Sequence, residues 1–229
     1  KIVERDQSVL VKMIRCTGKE PYYKELKNIM GKANVPSMIT KLGEYPERTE
    51  FIVTQATIMA DEGRQILVLS DRRKHVEHIA ALLVERGIDA GTMMGATTKR
   101  DKEARKLNID CQVIVGTYKM VAEGFDCNRL DTLIMATPIK DVTQAIGRIL
   151  RKKRYERQPL IIDIEDRFSS FQGQGAFRRR IYRQQSKPDC NIELFDKVLG
   201  DDPESLGDFS EKVKQIKRKK KFLLILKMR

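Results

Sequence analysis

The stretch from Val113 to Arg151, VIVGTYKMVAEGFDCNRLDTLIMATPIKDVTQAIGRILR, decides the fold. It contains two short apolar runs rich in β-forming residues, Val113 to Val115 and Thr132 to Ala136. Loop residues follow each run, Gly116-Thr117 in the first case and Thr137-Pro138 in the second. Apolar strands that end in polar turns are typical of an α/β protein.

The polar residues of this stretch all follow strand ends. In an open parallel sheet, ligands bind where loops leave the carboxyl ends of the strands. We therefore expect Thr117, the turn at 123–126 and the helix after Pro138 to share one edge of the sheet.

Further strand and helix units lie on both sides of this stretch. Pro159 to Ile164 is almost continuously apolar, as a strand covered on both faces requires. The repeated units predict a doubly wound parallel sheet with helices on both faces. The other predicted strands are Val9–Arg15, Gln65–Leu69 and Ala90–Met94. The other predicted helices are Tyr22–Met30, Glu47–Asp61, Asp71–Arg86 and Thr98–Leu107. Turns are predicted at Pro36, Gly43 and Pro46, an N-cap at Asp71 and a helix end at Gly63.

The helix after Pro138, whose start is marked by Asp141, carries Gln144, Arg148 and Arg151. The two arginines are three residues apart and project from one helix face. Guanidinium groups are permanently charged and fork-shaped, which suits a phosphoryl group. A solvated basic helix is the alternative reading of an isolated pair of this kind.

These residues resemble motifs of the superfamily-two helicases and translocases. The Gln144 to Arg151 pattern is similar to motif VI, Gly116-Thr117 with residues 123–126 to motif V, and Ile66 to Arg72 to motif IV. The resemblance covers about residues 65–166 and is specific, because the order, spacing and strand context of the motifs agree. It implies the second of two RecA-like lobes, similar to helicases of large DNA viruses and phage recombination helicases.

The resemblance also implies roles for individual residues. Arg151 matches the arginine finger and Arg148 its partner on the same phosphate, so these two are the candidate catalytic residues. Neutral donors and a cation suit the backbone of a bound strand. The matching nucleotide-binding positions are Gln144, Gly124 and Asp126, and the matching nucleic-acid contacts are Arg72, Gly95 and Thr117.

The charge of the chain points to a polyanionic partner. Its 229 residues include 45 Lys and Arg against 32 Asp and Glu, a formal net charge of +13. The basic residues cluster, which favours nucleic acid over a merely solvated surface. Tyr118 and Glu123 depart from common family residues and favour DNA, with RNA as the alternative.

The histidines and cysteines indicate no metal site. His75 and His78 share a helix face without a supporting cluster of carboxylates or thiols, and the four cysteines are widely separated, which predicts reduced structural thiols. The longest apolar run, Phe222 to Leu226, is too short to span a bilayer. We expect an intracellular protein, located in the host cytoplasm or virion if it is viral.

The chain divides into three predicted parts: a lead-in at 1–64, the lobe at 65–166 and a basic C-terminal extension at 167–229. In the extension, a predicted basic helix at Gly173 to Gln185 holds Arg178, Arg179, Arg180 and Arg183 together with the aromatic residues Phe177 and Tyr182. This helix either binds a strand or packs its aromatic rings on the core and solvates its arginines. A lysine-rich segment follows at Lys212 to Lys221.

A phosphate loop is missing from the sequence. Gly18-Lys19-Glu20 and Gly31-Lys32-Ala33 lack the upstream glycine and the Ser or Thr that such a loop needs. We therefore predict the C-terminal motor lobe of an ATP-dependent DNA helicase or translocase, inactive alone, with ATP and Mg2+ bound mainly by an N-terminal lobe. The alternatives are a non-enzymatic nucleic-acid-binding module and the motor lobe of a restriction or remodelling translocase.

Overall fold

The computed structural model describes residues 8–95, 103, 106–122, 125, 127–149, 155–185 and 190–200, with only the backbone described at Ala122, Arg148, Ile149 and Gln185. The predicted basic helix at Thr98–Leu107 therefore lies mostly outside the described residues. The same holds for the lysine-rich segment.

A seven-stranded sheet organises these residues. Its strands are β1 (Leu10–Thr17), β2 (Ile66–Ser70), β3 (Ala90–Met93), β4 (Val113–Thr117), β5 (Thr132–Met135), β6 (Leu160–Asp166) and β7 (Asn191–Val198). All neighbouring pairs are parallel, in the order β3-β4-β2-β5-β6-β1-β7. The predicted parallel α/β sheet is confirmed.

Helices cover both faces of the sheet. They are α1 (Val35–Glu44), α2 (Pro46–Asp61), α3 (Arg73–Glu85), α4 (Tyr118–Ala122), α5 (Thr143–Ile149) and α6 (Phe171–Gln185). Residues of α2 and α3 form one buried cluster with Val68, Val115 and Ile162. Residues of α4, α5 and α6 form another with Leu67, Ile114 and Ile161 on the opposite face. Alternate strand residues thus face different helices, which explains why β2 and β4 are buried at every position.

The sheet extends across both predicted part boundaries. Strand β1, from the predicted lead-in, lies between β6 and β7, and α6 and β7 come from the predicted extension. The three-part division itself stays a prediction.

Two predictions about the lead-in were wrong. Tyr22–Met30 forms turns rather than a helix, because the side chain of Asn28 accepts hydrogen bonds from Met30 and Lys32 N–H and so competes with helical bonding. Pro36 and Gly43 lie inside α1, and Pro46 begins α2. A proline in the first helical turn has no N–H to leave unpaired, so these prolines start helices instead of preventing them.

The ends of α2 and α3 were only partly predicted. Gly63 follows α2 with a φ of 78°, as the predicted helix end requires. Asp71 does not cap α3, because Arg72 is the N-cap residue and makes no side-chain capping bond. The Asp71 carboxylate instead accepts from the neighbouring Arg72 guanidinium.

Candidate nucleotide and nucleic-acid edge

The carboxyl ends of β2, β4 and β5 lie side by side, as expected. Ser70 is in register with Thr117, and Ala136 N–H donates to Leu69 O at 2.8 Å. Asp71 N–H donates to Thr137 Oγ1 at 2.8 Å. The Tyr118 hydroxyl donates to Thr137 O, also at 2.8 Å. Thr137 therefore joins the three segments that resemble motifs IV, V and VI.

The loop from Ala136 to Val142 leads from β5 into α5 and is held from both faces of the sheet. On one face, Arg48 of α2 donates to Ala136 O at 2.5 Å and makes a two-point pair with Asp166, both bonds at 2.9 Å. On the other, Arg178 of α6 donates to Ile139 O at 2.7 Å and makes a two-point pair with Asp163, both bonds at 2.8 Å. The position of α5 thus depends on two ion pairs far away in sequence.

Both ion pairs are almost fully buried. Arg48 and Arg178 are 0% and 1% exposed, and the two aspartates 1% and 0%. Burial lowers the pKa of each guanidinium, but the adjacent carboxylate outweighs that effect and the net direction is upward. Both arginines therefore remain charged.

The positions of the two aspartates in β6 explain why the two ion pairs lie on opposite faces of the sheet. Asp163 and Asp166 are three residues apart, so they point to opposite faces of the strand. A tyrosine adds a bond to each carboxylate: Tyr182 donates to Asp163 at 2.7 Å, and Tyr23 donates to Asp166. Burial, and then the neighbouring carboxylate, raise the pKa of both tyrosines well above the usual value, so both hydroxyls remain donors.

Gly175 allows α6 to approach β6 closely enough for the Arg178 pair. A Cβ atom at this position would lie 2.4 Å from Cδ of Glu165. Arg179, one residue after Arg178, donates to that glutamate at 2.7 Å. The close contact thus places two successive arginines against acidic residues of one strand.

Sequence reasoning missed these buried pairs. Neither alternative for α6 included a buried arginine: Tyr182 does pack on the core and Arg180 and Arg183 are exposed, but Arg178 is not solvated. The available signal was the three acidic residues Asp163, Glu165 and Asp166 in a strand that is otherwise apolar, since buried charges need partners.

Two of the three predicted nucleic-acid residues, Arg72 and Thr117, have side-chain partners within the protein. The Arg72 guanidinium donates to Pro36 O at 2.7 Å and to Thr40 Oγ1 at 2.9 Å, both in α1. Thr117 Oγ1 accepts from Met120 N–H at 3.3 Å. A Cβ at Gly95 would meet nothing within 4 Å. Arg72 is thus positioned by α1, and Thr117 starts α4.

The predicted nucleotide residues are only partly described. Gln144 is exposed on α5, and a Cβ at Gly147 would meet nothing within 4 Å. Arg148 follows on the same helix. Gly124, Asp126 and Arg151 lie outside the described residues. The described part of α5 therefore presents an amide beside an open helix surface.

His75 belongs to a buried hydrogen-bond network behind this edge. Its ring contacts Ser70 Oγ at 3.0 Å and Thr49 Oγ1 at 3.2 Å. Ser70 Oγ also accepts from Arg72 N–H at 3.2 Å, which joins the network to the start of α3. Burial, with smaller contributions from Arg48 and His78, lowers the pKa of His75 to about 3. His75 is therefore a neutral residue that orders the end of β2.

The described residues contain no group of three or more His, Cys, Asp or Glu placed to hold a metal ion. The four cysteines are free thiols. Within the same ranges, no helix is both long and apolar enough to cross a bilayer.

Sheet order, helix layers and the polar carboxyl edge define a RecA-like lobe. Residues 49–155 match the helicase conserved C-terminal domain, so this part of the chain is similar to the C-terminal domains of helicases.

Viral proteins are among its relatives. The chain is 31% identical to protein L396 of Acanthamoeba polyphaga mimivirus, which carries the name of an ATP-dependent RNA helicase, over 79% of this chain and 36% of that protein. It is 27% identical to D10 of Escherichia phage T5, which carries the name of a helicase, over 68% of this chain and 36% of that protein. The chain therefore spans about a third of these relatives.

Solved structures share the fold at low sequence identity. UvsW of phage T4 superposes with a TM-score of 0.62 at 16% identity, covering 83% of this chain and 41% of that one. The C-terminal domain of the DEAD-box protein Dbp5 gives 0.55 at 13% identity, covering 93% and 98%.

Proposed function

We propose that this chain is the C-terminal motor lobe of an ATP-dependent DNA helicase or translocase. The observation that carries the proposal is the β5–α5 loop, which starts the motif VI helix at the same edge as the motif IV and V segments. A loop held at Ala136, Thr137 and Ile139 keeps α5 in a defined orientation toward a partner lobe.

ATP fits the donors of this edge, whereas Mg2+ requires ligands from elsewhere. Gln144 and the open surface at Gly147 suit a nucleotide, and Arg148 and Arg151 suit its phosphates. Magnesium prefers carboxylate, phosphate and water oxygens, and the described residues offer no carboxylate cluster for it. We therefore assign the phosphate loop and the metal to an N-terminal lobe.

In this proposal, Arg151 stabilises the charge that develops on the transferring phosphoryl group, and Arg148 binds the same phosphate. Gln144, with Gly124 and Asp126, contacts the nucleotide. Arg72, Gly95 and Thr117 contact the backbone of the bound strand. The network behind β2 orders the Arg72 backbone, and α1 orders its side chain.

Nucleic-acid type is the finer part of the proposal. The Tyr118 and Glu123 departures support DNA, whereas the name of the mimivirus relative supports RNA. Competition between DNA and RNA strands of one sequence tests this choice.

ATP hydrolysis tests the motor-lobe assignment. This chain alone, with DNA present, should release phosphate far below roughly 1 per second, because it lacks a phosphate loop. A protein that also contains a nucleotide-binding lobe should show DNA-stimulated hydrolysis. Turnover at ordinary enzyme rates by the chain alone would disprove the assignment, and a complete protein that binds DNA without hydrolysis would favour the non-enzymatic module.

A further inference from the structure

Two neighbouring apolar residues, Ile29 and Met30, lie at the tip of the loop between β1 and α1. They are 107% and 75% exposed, and Ile29 is the most exposed large apolar residue among those described. Single exposed apolar side chains are common on protein surfaces. An adjacent pair at the apex of a turn is less so, and exposed apolar patches often mark binding sites.

The shape of this tip does not depend on the two apolar side chains. Asn28 Oδ1 accepts from Met30 N–H and Lys32 N–H, both at 3.0 Å. Asn28 N–H donates to Lys32 O at 2.8 Å, and Gly31, with a φ of 73°, donates to Asn28 O at 2.9 Å. Hydrogen bonds of the backbone and of the Asn28 side chain therefore define the turn. The exposed side chains of Ile29 and Met30 can contact a partner without disturbing these bonds.

The base of the tip is connected to the proposed strand-binding residues. Asn34 N–H donates to Leu26 O at 2.7 Å, and the Asn34 side chain caps α1 by accepting from Ser37 N–H at 3.2 Å. The first turns of α1 supply the Pro36 carbonyl and the Thr40 hydroxyl that hold Arg72. The tip thus immediately precedes α1, the helix that positions a proposed phosphate contact.

Two lysines flank the tip, Lys27 on one side and Lys32 on the other, and both are exposed. Among the described residues, neither lysine forms an ion pair. Two cations around an apolar apex match a nucleic acid, whose phosphates surround stacked apolar bases.

We propose that Ile29 and Met30 insert beside a base pair at the junction of single and double strands, while Lys27 and Lys32 contact the flanking phosphates. The proposal rests on the nucleic-acid-binding function above. The inserted side chains would unstack the terminal pair and so favour strand separation over simple tracking.

A forked DNA duplex with 2-aminopurine at the first pair beside the fork tests this role. The unaltered chain should raise the fluorescence of this base and bind the fork more tightly than a blunt duplex. The double variant I29S/M30S should lose the fluorescence rise and roughly fivefold or more of the fork affinity, because it removes two apolar side chains that would be buried against the bases. The variant K27Q/K32Q should flatten the slope of log K against log salt by about 1.8, for two phosphate contacts.

A matched control is V84S, which changes another exposed apolar residue, 56% exposed on α3. It should behave like the unaltered chain, and equal melting temperatures of all variants would exclude unfolding. If I29S/M30S binds the fork with unchanged affinity and fluorescence, this inference is wrong while the proposed function stands. If that variant instead loses only binding to the nucleotide-binding lobe, the tip is a protein interface and the inference is overturned. Absence of any nucleic-acid binding by the unaltered chain would remove both proposals.

Discussion

Arg178 and Asp163 form a buried two-point ion pair, and the same guanidinium donates to Ile139 O in the loop before α5. Arg48 and Asp166 repeat this arrangement on the opposite face, with Ala136 O as the third partner. The same three-part arrangement therefore occurs once on each face of the sheet. In each case an arginine from a covering helix binds a carboxylate of β6 and a carbonyl of the loop before α5. The loop before α5 is consequently held at two of its carbonyls, Ala136 O and Ile139 O.

Breaking the Arg178 pair should cost a large part of the stability. Arg178→Met leaves Asp163 and the Ile139 carbonyl without their charged donor, so the free energy of unfolding should fall by about 3–5 kcal/mol in urea denaturation. Arg180→Met, which changes an exposed arginine of the same helix, should stay within about 0.5 kcal/mol. Adding Asp163→Leu to Arg178→Met should recover part of the loss, because no unpaired charge then remains. A double variant as unstable as the single would contradict this explanation.

Replacing Arg151 should chiefly lower kcat in a protein that also contains the nucleotide-binding lobe. The charge it would neutralise develops mainly in the transition state, so Arg151→Ala should reduce DNA-stimulated hydrolysis on the order of a thousandfold and leave nucleotide binding largely intact. Arg151→Lys should fail almost as badly, because an ammonium cannot reproduce the planar fork.

Arg183→Ala is the matched control, because Arg183 is an exposed arginine on α6. Activity within about threefold of the unaltered protein for Arg151→Ala, with Arg148→Ala inactive, would move the finger role to Arg148. If both variants remained active, the motif VI assignment would be wrong.

Removing the lysine-rich tail should weaken the salt dependence of nucleic-acid binding. Each phosphate contact contributes about 0.9 to the slope of log K against log salt on duplex DNA, so deletion of residues 212–229 should flatten that slope by several units. Fluorescence anisotropy from about 50 to 200 mM salt measures it. An unchanged slope would mean that the tail is only solvated.

Stability should fall as the pH drops below the usual pKa of histidine, and His75 should cause part of this loss. Its pKa is lowered from 6.5 to about 3 in the folded chain, so at intermediate pH the unfolded chain binds a proton that the folded chain does not. Its contribution is complete above pH 6.5 and decreases toward pH 3, with a slope of at most about 1.4 kcal/mol per pH unit. Urea denaturation at several pH values measures this slope.

His75→Asn should reduce that slope by up to about 1.4 kcal/mol per pH unit, the value for one proton. His78→Gln alters an exposed histidine on the same helix and serves as the control. A slope unchanged in His75→Asn would show that other groups cause the loss.

The sequence alone determined the parallel sheet, the long helix α2 and the order of the three motifs, because these depend on local periodicity and on turns next to strand ends. Continuous apolar runs such as Ile66–Ser70 indicate a strand covered on both faces before any tertiary contact is known. Local rules failed where a side chain changed the outcome, as Asn28 did by accepting the Met30 N–H group that a helix at Tyr22–Met30 would use.

Only the tertiary structure decided which charged residues are structural. Arg178 is one of four neighbouring arginines in the sequence, and nothing local distinguishes it from the exposed Arg180. Its partner Asp163 is 15 residues away, and Arg48 lies 118 residues from Asp166. Pairing over such separations depends on how the helices cover the sheet. A buried aspartate without a cationic partner is energetically costly, so the folded chain places beside each aspartate the arginine that can reach it.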